Sequence, residues 1–180
     1  AGREIKLWQL REAYLEDIKE ALSNSYGEAD AEDFPNFLIA IAANAVADNI
    51  DDYILSIADA KVGSLLENLN DQCLKDRFHN TLINSVGYML LTRCGYNADF
   101  YYVYDDFTHV LDFNTHETIG VLGVAASDIS EMILREIEVT VRAIQREEKS
   151  NARTFANGEE NRYHEDRNNQ TERRTDHETD

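Results

Sequence analysis

Residues 125–144 read AASDISEMILREIEVTVRAI. At about 100° per residue, Ile119, Leu122, Ala126, Ile129, Ile133, Ile137 and Ile144 fall on one face. No proline interrupts the run, so the spacing predicts one long helix with a buried stripe. Asp128 and Arg135 point nearly opposite that stripe, with Glu131 and Arg142 beside them. Glu131–Arg135 and Glu138–Arg142 are i,i+4 pairs in the favourable order, each worth about 0.2–0.5 kcal/mol. The charges therefore have a sufficient structural explanation. Val121, Val124, Met132 and Val139 lie near the same outer face. That mixture predicts something packed against it, either another helix or another molecule.

The upstream chain reads as further helices. Residues 4–22 place Trp8, Leu15, Ile18 and Leu22 at helical spacing, and 23–33 form a polar connection. Asp33 before Phe34-Pro35 predicts an N-cap with proline just inside the start of a second helix, which carries Phe37, Leu38, Ile41 and Ala45. A third helix takes Ile54, Ile57, Leu65, Leu66 and Leu69, interrupted near Gly63. A fourth sets Leu74, Phe78, Leu82, Val86 and Met89 against Thr81, Asn84 and Tyr88, and ends at Arg93-Cys94-Gly95. Residues 96–114 crowd seven aromatic rings into a short connection. It reads as a plug across the bundle end, with a partner-contact surface as the alternative. Asn114 with Glu117 predicts a capping box opening the last helix at about Thr115. From 149 the chain turns polar, and too little apolar surface remains there to offset ordering entropy.

Composition agrees with this pattern. One proline and eight glycines in 180 residues leave few breakers. The expected architecture is all-α: a bundle of about five helices over 1–148, an aromatic-rich loop, and a disordered acidic tail over 149–180. Cys73 and Cys94 fall at the two ends of one expected helix, about 30 Å apart, beyond disulfide reach. No apolar run approaches the roughly 18 residues of a membrane span, and the first ten residues hold no uninterrupted apolar stretch. A cytoplasmic home in a bacterial cell is expected, with no membrane partner. The net charge of −18 offers no basic patch for phosphate. It fits either plain solubility or an acidic surface that meets a basic partner.

Chemistry is sparsely signalled. Asp128 and Glu131, one turn apart, are the candidate catalytic pair, able to share Mg²⁺ with waters. Such an ion would activate water for metal-dependent cleavage of RNA. Glu12 and Glu16 are a second such pair, and His109 and His116 are candidate ligands beside a loop. No zinc-protease helix, phosphate-cradling glycine loop, nucleophile elbow or Cys-x-x-Cys occurs.

Three segments, NSVGYMLLTRCGYN (84–97), 113–144 and RTFAN (153–157), resemble a helical part of the ArdC/LtrC-like antirestriction proteins of Gram-positive conjugative elements. The likeness covers roughly residues 70–157, and the zinc-peptidase-like or single-strand-DNA-binding part of that group is missing from this sequence. The free-standing form also resembles type II-A anti-CRISPR proteins. This implies a mobile-element anti-defence protein that inhibits Cas9 or the Cas9–guide RNA complex, by blocking assembly or by causing truncation of the guide. The alternative is a non-catalytic accessory module of an antirestriction system. The expected contact residues are Tyr88, Arg93, Arg135 and Glu138, then Tyr101, Tyr102 and Tyr104 of the aromatic loop. A homodimer through the apolar outer stripe is a further expectation.

Overall fold

The computed structural model describes the backbone of residues 10–175 and the side chains of residues 10–151. Among them the chain is all-α, with five α-helices, three short 3₁₀ segments and no strand. The helices are α1 (Leu15–Tyr26), α2 (Phe34–Asn49), α3 (Asp51–Ala60), α4 (Asp71–Arg93) and α5 (His116–Thr175). Two compact units divide the chain, Ala1–Thr140 and Val141–Asp180. Trp8 lies outside the described residues, as do residues 176–180 and all side chains after 151. Of the 149–180 segment expected to be disordered, the backbone of 149–175 is described and continues α5 to Thr175, and 176–180 lie outside the described residues.

In the first unit α2 and α4 form the central pair. Asp33 caps α2 as its sequence predicts: its carboxylate accepts from the Asn36 amide at 2.8 Å, and Pro35 occupies the first turn. Ile41, Ala42, Ala45 and Val46 are fully buried, so α2 packs on more than one side. Ile18 and Leu22 of α1 close one flank. Leu74, Phe78, Leu82, Val86 and Leu90 carry the core face of α4. Thr81, expected on the wet side, is also buried, and its hydroxyl donates back to the Arg77 carbonyl at 2.8 Å.

Two boundaries differ from expectation. The third helix stops at Ala60, and the chain turns through Gly63 at φ +79°, where other side chains are strained. Leu66 is buried beyond the turn while Leu65 is 65% exposed. The α5 cap is Thr115, not Asn114. Thr118 N–H donates to the Thr115 hydroxyl at 3.2 Å, and Thr115 N–H donates to the Thr118 hydroxyl at 3.2 Å. Asn114 instead accepts from the Leu65 amide at 2.9 Å, pinning the 61–68 turns to the start of α5.

The core stripe of α5 contains Leu122, Ala126, Ile129, Ile133 and Ile137, as its period predicts. Ile119, 42% exposed, and Ile144, half-buried, are the exceptions. Both cysteines are free. Cys73 is exposed, whereas burial pushes the Cys94 thiol up to about 12.

Candidate functional site

The C-terminal end of α4 is set by its capping geometry. Tyr96 N–H donates to the Leu91 carbonyl at 2.9 Å, and Gly95 N–H donates to Thr92 at 3.2 Å, with Gly95 at φ +85°. This paired closure is a Schellman motif. It leaves Arg93, in the last turn, exposed beside α5. On α5, Ser127, Ser130, Glu131, Leu134, Arg135 and Glu138 recur at three- and four-residue spacing and share one face. With Met89 and Arg93 they line an open groove of about 380 Å³. Four of the residues expected from sequence thus converge: Arg93, Glu131, Arg135 and Glu138.

The groove is polar and its arginines are unspent. Ser130 is buried, and its hydroxyl finds only the Met89 sulfur, at 3.8 Å. Among the described residues Arg93, Glu131 and Arg135 form no hydrogen bond or ion pair, so the expected Glu131–Arg135 pair is not closed. Two guanidiniums share this face with the Glu131 and Glu138 carboxylates; they suit contact with a partner's carboxylate or phosphate, and they oppose a divalent cation at Glu131.

Asp128 is not in this groove. It accepts a hydrogen bond from the Tyr53 hydroxyl of α3 at 3.2 Å. Burial, with that bond and charge second, raises the phenol pKa of Tyr53. The paired-carboxylate site expected of Asp128 and Glu131 is therefore split between two neighbourhoods. No group of three or more His, Cys, Asp or Glu side chains placed to hold a metal occurs among the described residues.

The aromatic segment forms a second cluster on α4. Tyr88, Tyr102 and Phe107 pack with ring centroids 5.5–6.1 Å apart, the Tyr88–Phe107 pair edge-on. This is the expected plug. It corrects one expected contact residue: Tyr102 is buried, its hydroxyl set against Gly87 with no hydrogen-bond partner. Burial, then the Asp106 carboxylate, pushes that phenol up to about 12. Tyr88 and Tyr104 remain accessible beside a shallow hollow, whereas Tyr101 is half-buried. Phe100 and Val103, 83% and 66% exposed, extend the surface and were not expected from sequence.

A third cluster also escaped sequence reasoning. Arg77 of α4 is ion-paired with Asp112 and lies 2.9 Å from the His109 ring nitrogen, which is 3.5 Å from Asp112. It holds the 3₁₀ segment Tyr104–Asp112 on α4. The signal was the i,i+3 spacing of His109 and Asp112, which means little without Arg77.

No family model, curated protein or solved structure matches this chain. The expected resemblance to antirestriction proteins rests on the three sequence segments and that to anti-CRISPR proteins on the free-standing acidic form; none of these comparisons bears on either. No helix among the described residues is long and apolar enough to cross a membrane.

Proposed function

We propose that this chain is a non-catalytic binding module of a mobile-element anti-defence system that acts on Cas9 or the Cas9–guide RNA complex. The supporting observation is the groove where Arg93 and Arg135 stand without partners on a protein of net charge −18. Cas9 holds nucleic acid in a positively charged channel. An acidic body suits that channel, and the two guanidiniums suit phosphates of the guide or carboxylates at its border. The two arginines that share the groove with Glu131 and Glu138, and the engagement of Asp128 by Tyr53, favour binding over metal-dependent cutting.

The test combines Cas9, guide RNA and target DNA with the purified chain and reads target cleavage and guide length. Inhibition with a full-length guide is expected, weakening with added salt. Arg93→Ala/Arg135→Ala should raise the half-inhibitory concentration about tenfold, as the loss of charged contacts implies. Unimpaired cleavage with intact guide rejects the reading. A shortened guide, lost with EDTA and in Glu131→Gln, would establish the nuclease instead. A pull-down that returns conjugation proteins and no Cas9 would favour the accessory-module alternative.

A further inference from the structure

The first turns of α5 and the outer side of α3 leave a second groove of about 600 Å³. Its apolar lining is Tyr53, Ala60, Gly120, Val121 and Val124. Val124 is 56% exposed. Gly120 sits inside α5, where glycine destabilises a helix relative to alanine. A Cβ there would meet nothing within 4 Å, so no contact inside the chain accounts for its absence. A bare backbone between two exposed helical walls admits close approach of another backbone. A gap between two helical walls is a shape into which a third helix packs.

Charge decides which helix. Asp52 and Glu117 also line the groove and are exposed, and among the described residues neither has an ion pair or hydrogen bond. A second copy would bring the same carboxylates, and another −18 of net charge, against them. A helix with an apolar stripe flanked by Lys or Arg would satisfy both walls and both acids. We propose that the α3–α5 groove is a docking site for a basic amphipathic helix of a partner protein, seated over Gly120 between Asp52 and Glu117. This surface is separate from the Arg93 groove, and the inference holds whichever protein supplies the helix.

The probe is a fluorescent 20-residue peptide of Leu, Ala and Lys patterned as an amphipathic helix, titrated with the full chain. The control has the same composition scrambled to remove the apolar face, so bulk charge attraction is held constant. At least tenfold tighter binding of the patterned peptide is expected. Gly120→Leu fills the groove and should weaken binding about tenfold with the helical circular dichroism unchanged. Gly120→Ala should weaken it about threefold while raising Tm by about 2–4 °C, an opposition that a purely structural glycine would not give. Asp52→Asn/Glu117→Gln should weaken binding and flatten its salt dependence. Equal affinity for patterned and scrambled peptides overturns the proposal, as does full affinity in folded Gly120→Leu. Sedimentation showing a dimer that Gly120→Leu dissolves would overturn it in favour of a second copy.

Discussion

Gly87 and Gly120 stand in the interiors of α4 and α5, and their surroundings are opposite. At Gly87 a Cβ would overlap the Tyr102 hydroxyl and press its ring carbon at 3.2 Å. The helix gives up a side chain there so that an aromatic plug can lie against its backbone. At Gly120 the same omission faces open space beside a half-exposed valine. A glycine inside a helix costs about 1 kcal/mol relative to alanine in either place. In α4 the chain itself occupies the vacated volume; in α5 it does not. The contrast separates a glycine explained by its own fold from one whose explanation lies outside it.

The sharpest way to break the contrast is Gly87→Ala. Its new methyl collides with a buried ring, and a loss of about 2–3 kcal/mol is expected in urea unfolding. Adding Tyr102→Phe should recover most of it. A double variant as weak as the single one would mean that the hydroxyl is not what the glycine accommodates.

Alkaline pH probes the same spot. The Tyr102 phenol ionises near 10.0 when unfolded and is pushed up to about 12 when folded. Between those values the unfolded chain releases a proton that the folded chain keeps, so stability falls as pH rises. Tyr102 should account for a loss of up to about 2 kcal/mol across this window and for none below it. Urea midpoints of Tyr102→Phe should fall less steeply there. The residual slope would include Cys94, which is also pushed up to about 12.

Gly120→Ala is the mirror experiment. With no neighbour to strike, it should gain up to about 1 kcal/mol, where the same change at position 87 loses more than that. The smallest expected effect is Tyr53→Phe. It removes an exposed bond to Asp128 beside the Gly120 groove and should cost about 0.5 kcal/mol, resolvable in a thermal scan. A loss of several kcal/mol would instead make the α3–α5 wall part of the core.

Features carried by local chemistry were legible in the sequence. The stripe of α5, the Asp33 cap before Pro35 and the glycine stop at Gly95 follow from period, side-chain reach and backbone freedom. The grouping of Glu131, Arg135 and Glu138 was legible too, because one helix face sets it. Features that need two elements together were not. Asn114 and Thr115 are both competent caps, and only the 61–68 turns decide that Asn114 is drawn to Leu65. Tyr101, Tyr102 and Tyr104 look alike in a polar-aromatic run, yet the bare backbone at Gly87 selects Tyr102 for burial. Asp128 and Glu131 are one turn apart, but Tyr53 approaches only Asp128. The apolar α3–α5 groove depends on the chain breaking at Gly63, so neither half announces it alone.

The unequal cysteines of α4 have a practical consequence. Cys73 lies open at the start of the helix, while Cys94 is shut in the core with its proton held tightly. A maleimide should therefore tag one position cleanly at neutral pH, giving a fixed beacon at the start of α4. The second sulfur becomes reactive only when the body opens. Its labelling rate is a clock for that opening, readable as added mass.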